Sequence, residues 1–367
     1  MEHMHLKKLI KSVVLKVNDK LLEKQYIKKI NSSFKKLENK QYLSKEQVKE
    51  IKTYYKELIG VDVPIAWHQY MFSRTGIYSK QYIPTSLYRV SLMHKANINS
   101  YRDAYVDKNM IDVFLPMANH PKYYLKNMNG YYYINDKPVS KEDAITFCSN
   151  ISNVLIKPSL ESHGEGIRKL NVKNGLTNVD NLTIGQLFDR YKKNFSIQEF
   201  VDQHELMRRL NPSSVNTLRI LTFRSEMEIL VLYSVVRIGR DGKEIDNESA
   251  GGISTKINPD GTLSKYAYGS PGIDDKVEKT DTGIILEGYK IPSYESAVEM
   301  VKKCHLNLPF FDMIGWDIAI DKEGKPVLLE WNIHTELSQS ANGPAFGAYT
   351  ERVLKELWKR KSTLHSK

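Results

Sequence analysis

The sequence predicts an α+β protein with a cleft between lobes, and three observations lead there. At 367 residues the chain exceeds one minimal domain and suits two or three lobes. From about residue 106, short apolar runs alternate with helical stretches, each bounded by Gly, Pro, Asn or Asp. With 41% hydrophobic and 26% charged residues, the composition is that of an ordinary globular protein.

In chain order, residues 4–58 read as helix. Leu6, Leu9, Ile10, Val13, Val14, Val17 and Leu21 recur at helical spacing with lysines between them. A second helical run spans Ser44 to Leu58, with Ser44 as cap and Gln47 three residues later. Gly60 and Pro64 interrupt it. Residues 65–105 hold Trp67, His68, Tyr70, Phe72, Tyr78, Tyr82 and Tyr88 and read as an irregular, aromatic-rich segment. Strands are expected at 154–158, 195–201, 217–223, 228–239, 315–320 and 326–332, and helices at 141–150, 183–193, 293–304 and 344–361. Mixed elements in this order indicate an α+β enzyme with a cleft between lobes.

The charge and cysteines narrow the partners. Net charge is +11, of which residues 1–60 carry +8, with fifteen Lys and no Arg against seven Asp or Glu. A Lys-rich helical face attracts phosphate backbones or anionic headgroups, or simply stays solvated. No zinc finger, arginine-rich groove or RNA-recognition signature accompanies it, so no nucleic-acid partner is expected. Cys148 and Cys304 stand far apart, in no metal-type spacing, and read as reduced, buried residues of a cytoplasmic protein. No run approaches the ~18 apolar residues of a membrane span, and the start lacks a signal-peptide cleavage site.

Three segments carry chemistry. Asp317 lies in IGWDIAI, and VLLEWN follows after the turn DKEGKP. A hairpin brings Asp317 and Glu330 onto neighbouring strands, and Glu330 and Asn332, two apart, leave one face of their strand. Two carboxylates and an amide oxygen form an all-oxygen set suited to Mg²⁺; the plainer alternative is surface pairing with lysines. Next, LIKPSLESHGEGI (155–167) delivers Lys157 into a loop holding Ser159, Ser162, Gly164 and Gly166. Small residues let backbone N–H groups close around phosphate oxygens. The spacing excludes a P-loop, and an ordinary flexible hairpin would read the same. Third, SIQEFVDQHE (196–205) is an apolar-flanked strand whose end can offer backbone groups to an adenine edge.

Taken together, YVDKN (105–109), IKPSLESHGEGI, QEFVDQHELMRRLNPSSVNTLRILT, AGGIS (250–254) and FDMIGWDIAIDKEGKPVLLEWNI resemble the ATP-grasp superfamily. Within it, residues 106–347 look like the sugar-transfer-associated branch. The resemblance implies an ATP-grasp fold, two α+β lobes sandwiching ATP, preceded by a basic helical N-terminal region. The chain is then expected to divide into 1–60, the basic helical region; 61–105, a small entry lobe; 106–200, the lobe with phosphate loop and hinge; 201–350, the lobe with the metal site; and 351–367, a basic C-terminal helix or tail.

By the same resemblance, Lys157 and Lys108 reach the ATP phosphates, with Lys95 and Lys126 as alternatives to Lys108. Gln198, Glu199, Phe200 and Val201 form the adenine hinge. Glu205, or Asp202, takes the ribose. Asp317, Glu330 and Asn332 hold Mg²⁺, and Arg219 stabilises the transferred phosphoryl group or an acylphosphate. Asn216, Arg237, Asn247, Gly251, Gly252 and His334 face the substrate, and AGGIS with 239–252 closes over it. The implied chemistry is ATP-dependent carboxylate–amine ligation on a sugar acid or amino sugar in surface-polysaccharide assembly. A small-molecule kinase and a non-catalytic ATP-binding module are the alternatives. The lysine-rich start would suit peripheral contact with a membrane's inner face.

Overall fold

The computed structural model describes residues 2–161, 166–226, 228–243, 246, 248–272 and 276–360, with side chains from Val17 onward. Three helices lead: α1 (Glu2–Lys35), α2 (Lys45–Ile59) and α3 (Ala66–Thr75). Ser44 and Gln47 form the reciprocal cap of α2, and Gly60 ends it in the left-handed conformation. α3 is buried nearly all round, including Trp67, Tyr70, Met71 and Arg74. Residues 65–105 are therefore largely helical rather than irregular. Aromatic and apolar residues surround α3, leaving no polar face and hence no helical period to read.

Fourteen strands follow: β1 (Tyr123–Met128), β2 (Tyr131–Ile134), β3 (Lys137–Val139), β4 (Val154–Pro158), β5 (Arg168–Leu170), β6 (Val172–Lys173), β7 (Leu176–Thr177), β8 (Phe195–Glu199), β9 (Thr217–Ser225), β10 (Glu228–Ile238), β11 (Ile253–Ile257), β12 (Leu263–Tyr268), β13 (Met313–Ile320) and β14 (Pro326–Asn332). One six-stranded sheet runs β3-β2-β1-β8-β4-β5 and the other β12-β11-β10-β9-β13-β14; β6 and β7 pair alone. Each neighbouring pair is antiparallel. Ile253 begins β11, so AGGIS is only partly loop.

Alternation along the second sheet decides what each face meets. Leu218, Ile220, Ile318 and Ile320 pack beneath helix Tyr294–Leu306. On the opposite face Leu221, Phe223, Tyr233, Val235 and Met313 share a core with Ile51 and Tyr55 of α2 and with Val353, Leu354 and Leu357 of helix Thr350–Lys359. This core runs across positions 60, 105 and 350 without a break. The first sheet has its own core, with Ala144, Cys148, Leu187 and Phe188 from its two helices. Cys148 and Cys304 are free and buried. Among the described residues, no helix is long and apolar enough to cross a membrane.

Candidate functional site

The face of the second sheet that is apolar near Leu221 and Val235 turns charged one pleat further on. Register places Val235, Arg219, Asp317 and Glu330 in a row across β10, β9, β13 and β14. Asp317 is 1% exposed. Arg219 grips it in a fork, Nε to Oδ1 at 2.5 Å and Nη2 to Oδ2 at 2.9 Å, and Arg237 Nη2 stands 3.2 Å from Oδ2. Asn332 Nδ2 donates to Glu330 Oε1 at 3.2 Å. Lys108, from the turn leading into the first lobe, reaches Glu330 Oε2 at 3.2 Å and also donates to the Glu161 carbonyl at 2.5 Å. Lys157, 5% exposed at the end of β4, completes the group.

These charges set one another. Burial, followed by the neighbouring Lys108 charge, pushes the Lys157 ammonium down to about 7, while Glu330 pulls the other way. Burial opposes the charge of Arg219, but the Asp317 ion pair outweighs it and keeps the guanidinium protonated. Burial raises Asp317 against the pull of both arginines, with Glu330 adding to the rise. Burial also works against ionised Glu330, yet Lys108 first, then its contacts with Asp317 and the hydrogen bond from Asn332, hold it well below the ordinary range.

The donor set fits a hard divalent cation. The buried Asp317 and the half-buried Glu330 carboxylates face each other across the register, and Asn332, whose Nδ2 is used, keeps Oδ1 as an acceptor. Among the described residues no group of three His, Cys, Asp or Glu could hold a metal, so an amide oxygen is the third donor this corner provides.

A model of the sugar-transfer-associated ATP-grasp family matches residues 89–353. This chain belongs to that family. The match takes in the whole Arg219–Asp317–Glu330 row, Lys108 and Lys157, and leaves out α1, α2 and α3. No curated protein matches the chain. Distantly similar solved structures include N5-carboxyaminoimidazole ribonucleotide synthetase from Thermotoga maritima, at 14% identity over 64% of this chain and 44% of that one, TM-score 0.34. L-amino acid ligase from Bacillus licheniformis is 10% identical over 76% of this chain and 53% of that one, TM-score 0.35. D-alanine–D-alanine ligase from Bacillus anthracis is 12% identical over 70% of this chain and 67% of that one, TM-score 0.38. The chain spans about half the length of the first two.

The remaining expected residues of this ATP-grasp chain fall into two groups. Near the lysines, Ser159 is buried, its carbonyl accepting from the Lys108 amide at 3.1 Å, and its Oγ has no partner among the described residues. Gly166 has φ +73°, and a Cβ there would meet Pro158 Cγ at 2.8 Å, so only glycine fits. Gln198 is buried with Oε1 unpartnered among the described residues. Glu199 ends β8, its amide donating to the Lys122 carbonyl at 2.8 Å. Phe200 lies under Lys169, Nζ 4.8 Å from the ring centroid, and Val201 is half-buried. Ser162, Gly164 and Asn247 lie outside the described residues.

Others have structural partners. Asn216 is fully buried, donating to the Met207 and Asn211 carbonyls at 2.8 Å and accepting from Gly239 N at 3.3 Å. Such a hub holds the loop ahead of β9 rather than presenting an amide to a ligand. His334 Nε2 sits 3.0 Å from Asn99 Oδ1, and burial pushes the ring down to about 4. Glu205 opens helix Glu205–Leu210, exposed and 3.9 Å from Arg208, which also pairs with Asp202. Gly252 is buried and Gly251 has φ +101°. Of the alternative lysines, Lys126 is held between Asp112 and Asp136, and Lys95 donates to the Arg360 carbonyl at 2.6 Å.

Sequence reasoning missed the residues that orient the arginines. Thr335 Oγ1 accepts from Arg219 Nη1 at 2.9 Å. Thr217 Oγ1 accepts from Arg237 Nε at 3.0 Å, with Asp246 Oδ2 3.6 Å from that nitrogen. A Cβ on Gly315 would meet Thr335 Oγ1 at 2.6 Å, so this strand glycine makes room for the contact. The glycine inside an apolar strand was the available signal.

Proposed function

We propose that this chain is a Mg·ATP-dependent carboxylate–amine ligase working through an acylphosphate on a sugar acid or amino sugar. The observation that carries the reading is the Arg219–Asp317–Glu330 row, met by Lys108 and Lys157 from the other lobe. Positive charge from two lobes converging on a buried aspartate and a half-buried glutamate suits phosphoryl transfer, in which the protein's work is positioning and charge stabilisation.

In this reading Lys157, Lys108 and the 159–166 loop hold the phosphates. Gln198 to Val201 border the adenine, with Glu205 or Asp202 beside the ribose. Asp317, Glu330 and Asn332 would hold Mg²⁺, which when bound neutralises charge between the β- and γ-phosphates. A carboxylate oxygen of the acid attacks the γ-phosphorus, the bond to the β-phosphate oxygen breaks, and ADP leaves. The amine lone pair then attacks the acyl carbon. The C–N bond forms, the C–O bond to phosphate breaks, phosphate leaves, and the amine proton passes to solvent. Arg219 and Arg237 oppose the negative charge that develops at each stage. In this reading the sugar chemistry follows the family's description as sugar-transfer associated, and a role in surface-polysaccharide assembly extends it.

Oxygen-18 in the acid's carboxylate tests this route. The ligase reading predicts one label in the released phosphate for each amide formed. Label-free phosphate, or a stable phosphorylated product, overturns it in favour of hydrolysis or a hydroxyl kinase.

A further inference from the structure

A partly open cavity of ≈ 90 Å³ lies where the N-terminal helices meet the second sheet. By the same measure a single water needs roughly 10–15 Å³, so the space suits a small ligand rather than one solvent molecule. Tyr26 of α1 and Trp67 of α3 form one side, and Glu248, Ser254, Tyr268 and Ser338 contribute to the rest. Both N-terminal aromatics lie outside the 89–353 family segment. Helices that precede the family segment therefore supply part of the lining.

That side is fixed. Arg74 of α3 donates to the Gly269 carbonyl at 2.8 Å and the Ser270 carbonyl at 3.1 Å, and Gly272 N donates to Tyr70 Oη at 3.1 Å. Gln339 clamps Ile83 from the other side, accepting from its N–H and donating to its carbonyl, each at 2.8 Å. Two lining segments adjoin the residues of the charged row. Ser254 is the register partner of Arg237, and its Oγ donates to Glu248 Oε1 at 2.6 Å. Thr335, which accepts from Arg219, immediately precedes lining residues Glu336 to Ala341.

The lining chemistry is selective. Flat aromatic rings beside serine hydroxyls suit a sugar, whose C–H face packs on a ring while its hydroxyls bond at the rim. Trp67 is nine-tenths buried, and its Nε1–H has no partner among the described residues. Glu248 adds a carboxylate, which favours an amine over a hydroxyl at its end of the space. We infer that this cavity is the seat of the amine substrate, an amino sugar whose ring packs against the Tyr26 and Trp67 side with its nitrogen at Glu248. The inference rests on the ligase reading for the amine's role, but the sugar site stands on its own lining.

Binding of D-glucosamine and D-glucose to the full chain, followed by ligand-observed NMR with Mg·ATP binding measured in the same samples, tests it. Glucosamine is expected to bind at least tenfold tighter than glucose. Glu248→Gln should collapse that ratio, and Tyr26→Ala should weaken both sugars together. Because the first readout is a ratio within one protein, partial misfolding does not imitate it. Equal binding of the two sugars, a ratio unmoved in Glu248→Gln, or no sugar binding at all overturns the inference. Sugar binding retained without ATP binding would instead sink the ligase reading and leave the sugar site in place.

Discussion

The two sheets treat their buried polar atoms in opposite ways. Around the first, Asn109 Oδ1, Asp112 Oδ1, Asn127 Nδ2, Ser159 Oγ, Ser196 Oγ and Gln198 Oε1 are buried without a partner among the described residues. In strands β9 to β14 only Arg224 Nε is in that state, and Asp312 Oδ1 stands 3.3 Å from it. Each such atom costs about 1–3 kcal/mol unless something meets it. The first lobe thus carries buried polar atoms that its own fold leaves unmet, whereas the second pairs its charges with one another.

The largest break in that contrast should come from Asp317→Asn. Removing the carboxylate strands Arg219 and Arg237 beside each other, and breaking a buried pair of this kind costs about 3–5 kcal/mol. Chemical denaturation should show that loss, and ADP formation should fall by about 10³ or more. Lys157→Met should separate the two effects instead. ATP turnover falls by about 10²–10³, while stability at pH 7 is kept or raised, because a buried ammonium is disfavoured.

Lys157 also predicts a pH signature. Its folded value of about 7 lies below the ordinary 10.5, so between these values the unfolded chain binds the extra proton. Stability should therefore rise with pH across that window, by up to about 1.4 kcal/mol per unit, and Lys157→Met should flatten the rise. In the second lobe His305 is held between Thr222 Oγ1 at 2.7 Å and the Phe311 carbonyl at 2.9 Å, and burial pushes it down to about 3. Its contribution is present above 6.5 and is lost as pH falls towards 3, a decline that His305→Gln should blunt in acid denaturation.

The smallest effect in this series concerns the support of Arg219. Gly315→Ala places a methyl against Thr335, and overpacking of this kind costs about 1–3 kcal/mol. Turnover should fall about tenfold, and removing the neighbouring side chain in Gly315→Ala/Thr335→Gly should recover part of the stability. An unchanged denaturation midpoint in Gly315→Ala would show that the Thr335 contact has slack.

How far the sequence showed this arrangement depended on the kind of signal. The hairpin from Asp317 to Glu330 was readable because its turn, DKEGKP, separates two apolar strands, and β4 and β14 fall at the expected residues. The meander β1 to β3 was not expected, although Asn129-Gly130 and Asn135-Asp136, all with positive φ, mark its turns. Its tyrosine-rich strands carry little alternation. α3 and its packing on Gly269 were hidden for a different reason: contacts 195 residues apart leave no local period. The same holds for Thr335 and Glu248, whose importance lies in the arginines and serine they meet.

ADP release with Mg·ATP, measured across a matrix of sugar acids and amines with Asp317→Asn and Glu330→Gln as controls, tests the central claim most directly. The account predicts turnover only where an acid and an amine are both present, and its loss in both variants. Turnover with a hydroxyl compound alone, or undiminished turnover in either variant, would contradict it.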